Sequence, residues 1–393
     1  MITTPRGFRA AAVAAGIKPQ GLDLALLVAD QACTAAAVFT TNRAQAAPVI
    51  VSREHLLAGR ARAVVVNAGC ANAATGEPGL ADARETAALL AARLGCAPQE
   101  VVVASTGVIG VPLPMPKLRA GIEAACAQLS ASAGAEAARA IMTTDTRPKQ
   151  ALLEFPLGGT TVRVAAMAKG AGMIAPNMAT MLAFFTTDAA VAPQLLAQAL
   201  RHAVGESLNR ITVDGDTSTN DMAVVLASGA AAAPPIEAEG ADFLAFQAAL
   251  TAVARQIAEA IVRDGEGASR IAEVRVEGAR SVADADRVVR TIAESPLVKT
   301  ALHGGDPNWG RILAAAGRSG VDLDASLVDI WLGDVWVASQ GAARAYDEAV
   351  AAAAVREDPV RIRVHLNAGA ATSWMWTCDL TRGYVDINAH YRS

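Results

Sequence analysis

Short runs of valine, leucine and alanine, each closed by a cluster of asparagine, glycine and threonine, set the strongest limit on how this chain folds. Residues 23–38 and the run Arg62-Ala-Val-Val-Val-Asn67 have that form, as expected of buried strands that lead into functional loops. After them the period changes. Ala83, Ala87, Leu90 and Leu94 recur at helical spacing and Gly95 follows as a left-handed stop, so residues 80–94 read as an amphipathic helix. Thr161-Val-Arg-Val-Ala-Ala-Met167 alternates like a strand, residues 170–176 form a glycine and proline loop, and residues 181–185 read as a buried strand. Leu195, Leu196, Ala199, Leu200, Ala203 and Val204 then mark one face of a helix.

The remaining half continues the alternation. Residues 209–213 and 222–226 read as strands around the polar loop 214–221, and residues 243–261 are helical by their apolar spacing. Residues 271–276 alternate as a strand. Asp306 and Pro307 predict a cap and first turn for a helix through Ala316, closed by Gly317. Residues 328–332, 335–337, 360–366 and 384–387 read as further strands. The sum is an α/β layered protein with many short strands, one soft connection at residues 230–240 and no internal repeat.

Composition narrows the function classes. At 393 residues the chain is long enough for two or three domains or one large one, and 53% hydrophobic against 18% charged residues makes it globular. A formal net charge of −4 offers no electrostatic footprint for nucleic acid or an anionic membrane surface. The N-terminus lacks the apolar core of a signal peptide and no apolar run is long enough to span a bilayer, so a cytoplasmic protein is expected. Cys33, Cys70, Cys96, Cys126 and Cys378 have no regular spacing and the five histidines form no metal-binding pair. Reduced thiols and no metal are expected. Asp214, Asp216 and Ser218 begin like a calcium loop, but glycine is missing at the sixth position and Val225 stands where the bidentate glutamate belongs. That loop reads instead as polar support for a site.

The chemistry concentrates in Lys169-Gly-Ala-Gly-Met-Ile-Ala-Pro-Asn-Met-Ala-Thr-Met-Leu182. Alone, a threonine opening an apolar strand is an ordinary β-branched residue. If the Ala179-Thr180 bond is cut, however, Thr180 carries its hydroxyl nucleophile and a free α-amine on one residue, an arrangement that runs acyl transfer without histidine or metal. The cut follows from an N-to-O acyl shift: the Thr180 hydroxyl attacks the Ala179 carbonyl, and water hydrolyses the ester. The α-amine has a reference pKa of about 7.7 to 8, which leaves a neutral fraction to accept the hydroxyl proton.

This segment resembles the self-processing site of the ornithine acetyltransferase family, whose members include bifunctional glutamate N-acetyltransferases of arginine biosynthesis. Other blocks resemble that family in order: Gly7-Phe8-Arg9 with Gly16-Ile17-Lys18, Val103-Ala-Ser-Thr-Gly-Val-Ile-Gly110, Met142-Thr-Thr-Asp-Thr-Arg-Pro-Lys149, Thr212-Val-Asp-Gly-Asp-Thr-Ser-Thr-Asn-Asp221, Asp264-Gly-Glu-Gly-Ala268 and His303-Gly-Gly-Asp-Pro-Asn-Trp-Gly-Arg311. The resemblance implies β-sheets sandwiched between helical layers in a self-processing, N-terminal-nucleophile-like acyltransferase architecture. It divides the chain into residues 1–179 and residues 180–393, two copies of each forming the assembly and both contributing to one site.

Residue by residue, the resemblance makes Thr180 the nucleophile and Thr106 and Gly107 the oxyanion hole. It makes Lys169 a partner for a substrate carboxylate and Glu266 a partner for the distal ammonium of ornithine. Thr143, Asn388 and Ser393 match further substrate contacts, Thr143 being preferred to Thr144 on spacing alone. The implied reaction moves acetyl from N2-acetyl-L-ornithine to L-glutamate with no cofactor, and acetyl-CoA is allowed as a second donor. Two readings stand beside it: a self-cleaving amidase or aminopeptidase, in which water resolves the acyl-enzyme, and an uncleaved small-molecule-binding protein. Asn67-Ala-Gly-Cys-Ala-Asn-Ala-Ala-Thr-Gly76 departs from the family pattern at Cys70 and Ala74. Cys70 has no base nearby in sequence, so it reads as a buried or semi-buried thiol.

Overall fold

The computed structural model describes residues 1–175 and 181–390. The chain forms two compact units, the first comprising Met1–Asn209 and Asp216–Ile261, the second Arg210–Gly215 and residues 262–390. Each is built on one mixed sheet.

The first unit contains strands β1 (Phe8–Val13), β2 (Leu24–Phe39), β3 (Arg60–Cys70), β4 (Val101–Val108), β5 (Lys149–Leu157), β6 (Thr160–Lys169) and β7 (Leu182–Thr187). The next strand in sequence, β8 (Ile211–Thr212), belongs to the second unit, and β9 (Met222–Ala227) returns to the first. The sheet order is β4-β3-β2-β9-β7-β6-β5, with β1 beside β2. Every residue of β7 and of β9 is buried, which accounts for the apolar runs at residues 182–185 and 222–227: a strand covered on both faces has no solvent side to alternate towards. The flanking strands do alternate. Leu26, Val28, Val65 and Val103 pack against Ala83, Ala87 and Leu90 of the helix Gly76–Leu94 and Leu118 and Ile122 of the helix Met115–Cys126. Leu27, Val64, Val66 and Val102 meet Phe184 and Val224 in a separate cluster.

The second unit carries β10 (Ile271–Ala279), β11 (Asp329–Leu332), β12 (Val335–Ser339), β13 (Ala342–Ala343), β14 (Val360–His365) and β15 (Ala371–Cys378), ordered β13-β12-β11-β14-β10-β15-β8. Val274, Val276 and Met375 pack with Val288, Val289 and Ile292 of the helix Val282–Ala293. Both units are therefore sheets flanked by helices, the α/β layering that the sequence predicts.

Three local expectations need correction. Residues 384–387 lie in a helix, Arg382–His390, and not in a strand. Four alternating residues fit either period, and here hydrogen bonds from the i, i+4 pair Tyr384 and Asn388 to neighbours in the same unit favour the helix. The helix expected at Asp306 starts at Trp309, because the side chain of Asn308 accepts the Arg311 N–H and so becomes the cap. The strand expected over residues 209–213 contracts to Ile211–Thr212, paired with Trp376 and Thr377. Among the described residues, no helix is long and apolar enough to cross a membrane.

Candidate active site

The loop after β4 is formed by a close approach of two glycines. Gly69 and Gly107 are register partners at the ends of β3 and β4, and Gly107 has φ +128°. A methyl group at Gly107 would lie 2.3 Å from the Gly69 carbonyl carbon, so no other residue fits there. Below the turn, Ser105 donates to Asn67 Oδ1 at 2.6 Å and Asn67 Nδ2 donates to the Cys70 carbonyl at 2.8 Å. Asn220, from the loop before β9, donates to the carbonyls of Ala71 and Ser105 at 2.6 and 2.9 Å. This buried network fixes the backbone that carries Thr106 and Gly107, the preorganisation an oxyanion site needs.

Thr106 and Lys169 meet. The Lys169 ammonium donates to Thr106 Oγ1 at 3.1 Å, and both residues are buried. Lys169 ends β6 and pairs with Leu182, the first residue of β7. On the other side of β7, Leu182 pairs with Met222, and the Met222 N–H donates to the Met181 carbonyl at 3.0 Å. Three adjacent strands thus bring Lys169, the start of β7 and the segment 220–222 to one end of the sheet.

A buried carboxylate organises the cations there. Asp145 accepts from the Lys149 ammonium, from the Gly170 N–H at 2.7 Å and from the Thr143 N–H at 3.1 Å. Burial works against its charge, but the Lys169 and Lys149 ammoniums and these hydrogen bonds outweigh that and hold it below the usual carboxylate range. Lys149 is only 1% exposed, and its counter-ion Asp145 lies four residues earlier in the chain. Asp221 behaves oppositely. Full burial pushes its carboxyl well above the usual range despite hydrogen bonds from Ser218 and the nearby Lys169. Its Oδ2 has no hydrogen-bond partner among the described residues. Burial thus dominates at Asp221, whereas at Asp145 the neighbouring ammoniums and hydrogen bonds outweigh it.

The polar loop before β9 supports this end of the sheet. Thr217 donates to the Ala175 carbonyl at 3.0 Å and forms an isolated bridge with Ile174, while Thr40 and Asn42 donate to the carbonyls of Ser218 and Thr217. The loop therefore holds Ile174 and Ala175 in place. Cys70 is buried and burial raises its thiol pKa, which disfavours the thiolate that a nucleophile needs.

In the second unit, Glu266 and Asn388 form a pair, the Asn388 amide donating to Glu266 Oε2 at 2.7 Å. Gly267 has φ +67°, and a methyl group on it would lie 2.4 Å from the Tyr384 nitrogen. The helix Arg382–His390 can therefore seat directly on the Asp264-Gly-Glu-Gly turn, where Thr381 Oγ1 donates to the Gly267 carbonyl at 2.6 Å. His303, from the block ending at Arg311, contacts Asp379 at 3.1 Å, and Asp379 also accepts from the Ser269 and Arg270 N–H groups. These contacts brace the turn that bears Glu266.

Ala179, Thr180 and Ser393 lie outside the described residues. Of the residues singled out from sequence, Thr106, Gly107, Lys169 and Thr143 belong to the first unit, and Glu266 and Asn388 to the second. Sequence reasoning passed over Asp145, Lys149, Asn220 and Asp221, although each stands in a quoted block. The available signal was an Asp and a Lys four apart inside a threonine-rich stretch.

Residues 9–393 match the ArgJ family. The chain is 53% identical to the arginine biosynthesis bifunctional protein ArgJ of Symbiobacterium thermophilum, over 100% of this chain and 98% of that protein. It is 50% identical to the protein of the same name from Dehalococcoides mccartyi, over 99% of this chain and 96% of that one. A crystal structure of arginine biosynthesis bifunctional protein argJ from Bacillus halodurans matches with a TM-score of 0.51 and 44% identity, covering 53% of this chain and 98% of the crystal chain.

Proposed function

The chain belongs to the ArgJ family, and on that premise we propose that it is the acetyltransferase of arginine biosynthesis that moves acetyl from N2-acetyl-L-ornithine to L-glutamate through an acetyl-threonine on Thr180. The observation that carries this reading is the Lys169–Thr106 hydrogen bond at the end of the sheet where β7 begins. It groups a carboxylate-binding cation and an oxyanion donor beside the strand that follows Thr180.

The precursor cuts itself when the Thr180 hydroxyl attacks the Ala179 carbonyl. The C–N bond breaks, the released nitrogen takes up a proton, and water hydrolyses the resulting ester. In the mature enzyme the Thr180 α-amine accepts the hydroxyl proton as Oγ1 attacks the acetyl carbonyl. The Thr106 hydroxyl and the Gly107 N–H receive the oxyanion. Collapse expels the ornithine amine, which takes that proton, and leaves the acetyl ester. The neutral amine of glutamate attacks the ester, and the same groups act in reverse to release N-acetylglutamate. Lys169 and Thr143 hold a substrate carboxylate, Glu266 with Asn388 receives the ornithine ammonium, and Ser393 completes the substrate contacts. The scheme requires no cofactor, and acetyl-CoA serves as a second donor to the same threonine.

The two pieces, residues 1–179 and 180–393, assemble as two copies of each in the cytoplasm. Residues 180–393 make up a little over half of the chain. Supplying acetylornithine with and without glutamate tests the reaction. N-acetylglutamate should form together with ornithine, and acetate release that is indifferent to glutamate would replace the transferase with an amidase.

A further inference from the structure

The block Gly16-Ile17-Lys18 has no part in the scheme above, yet the structure builds it into the same end of the first unit. Asp23 is fully buried, and its carboxylate accepts the N–H groups of Ala15, Ile17 and Lys18 at 2.6, 2.6 and 2.9 Å. Three such bonds on one carboxylate fix the course of the backbone at residue 18. The Lys18 stem then lies across the bare face of Gly69: a methyl group there would sit 2.8 Å from Lys18 Cγ. Gly69 is the register partner of Gly107. The ammonium donates to the Met142 carbonyl at 3.1 Å, one residue before Thr143.

We propose that Lys18 is a specificity residue of the second half-reaction, its ammonium receiving the side-chain carboxylate of the glutamate acceptor. The inference rests on the acetyl-threonine reading and goes beyond it. An ammonium has three donors, and Lys18 uses one of them among the described residues. The residue is only half-buried, so a ligand can reach it. Its charge lies within reach of Asp23, Asp145 and Lys169. Burial lowers its pKa, the two carboxylates raise it and Lys169 lowers it.

The two substrates differ in what they ask of that charge. Acetylornithine presents one carboxylate and a side-chain ammonium, whereas glutamate presents two carboxylates. Lys169 serves the carboxylate common to both. The second carboxylate of glutamate therefore needs a cation of its own. Lys18 supplies it.

The test separates the two half-reactions in Lys18→Met and Lys18→Arg. Acetylornithine alone is mixed with the processed enzyme, and acetyl-enzyme is read as the mass gain of the fragment beginning at Thr180. Transfer is then followed with glutamate and with its neutral isostere glutamine. The wild type should prefer glutamate. In Lys18→Met the KM for glutamate should rise about 10- to 100-fold, the loss expected for a charge-assisted hydrogen bond, and the preference over glutamine should collapse. Acetyl-enzyme formation should fall far less, and Lys18→Arg should restore part of the preference. A Lys18→Met enzyme that keeps its preference for glutamate, or that loses acetyl-enzyme formation in step with transfer, overturns the assignment. Failure of the wild type itself to gain the acetyl group at Thr180 would instead overturn the acetyl-threonine reading.

Discussion

The ammonium of Lys169 donates to the hydroxyl of Thr106 at 3.1 Å, within a buried pair formed between the ends of β6 and β4. Because the lysine occupies a lone pair of that oxygen, the hydroxyl proton is directed elsewhere. A hydroxyl so oriented can donate to an oxyanion without reorganising during the reaction.

Thr106→Val removes the donor while keeping the β-branched shape. Losing one oxyanion donor costs about 3 kcal/mol of barrier, so kcat/KM for acetyl transfer should fall roughly 100-fold. Intact-mass analysis of the same preparation separates the steps, since a defect confined to transfer leaves processing complete. An unchanged kcat/KM would remove Thr106 from the oxyanion site.

Thr180→Ala should abolish processing and turnover together. The purified variant should show a single species at the full 40.1 kDa, and neither acetyl-enzyme nor N-acetylglutamate should accumulate. Full activity in this variant would overturn the mechanism.

Cutting at residue 180 should leave the halves associated. β7 and β9 follow the cut in sequence, yet they lie side by side between β2 and β6, which precede it. Separating the pieces would tear the β2–β9 and β6–β7 ladders and expose strands buried on both faces. Two bands under denaturing conditions should therefore co-elute as one native species, and unfolding of the first unit should remain a single transition. Release of a free fragment on dilution would contradict this.

Much of this arrangement is legible in the sequence because its causes are local. The apolar runs at residues 182–185 in β7 and 222–227 in β9 announce burial on both faces, and Gly95 ends its helix through a left-handed φ of +65°. Gly107 stands out as part of a Ser-Thr-Gly turn. Asp145 does not, since its meaning depends on Lys149, Lys169 and Gly170 converging on it from both sides of a hairpin. Residues 384–387 mislead for a related reason: their alternation is too short to set a period, and the contacts that make them helical come from Asp214 and Glu266, each more than a hundred residues away in the chain.

Asp145→Asn should destabilise the first unit strongly, because the buried ammonium of Lys149 loses its carboxylate partner. Breaking a buried pair in this way costs about 3–5 kcal/mol. The wild-type contribution has a defined pH window. The folded pKa of Asp145 is depressed, so its stabilisation is fully present above the unfolded value of about 3.9 and is lost as the pH falls through the lower folded value. Thermal unfolding of wild type and variant should differ most near neutrality and converge in strong acid. A constant difference across that range would mean that the carboxylate charge is immaterial.

Asp221→Asn should show the opposite trend. Its folded pKa is raised by burial, so between the unfolded value of about 3.9 and the folded one the unfolded chain binds fewer protons than the native state, and wild-type stability declines as pH increases. Asparagine has the shape of the neutral carboxyl and does not titrate, which frees the variant of that decline. The Tm difference, variant minus wild type, should therefore grow as the pH rises above the unfolded value of about 3.9. A difference that shrinks over the same interval would mean that Asp221 is ionised and paired with Lys169. The consequence would reach the site, because a second carboxylate on Lys169 competes with substrate for its charge, whereas a neutral Asp221 leaves that charge to the incoming carboxylate.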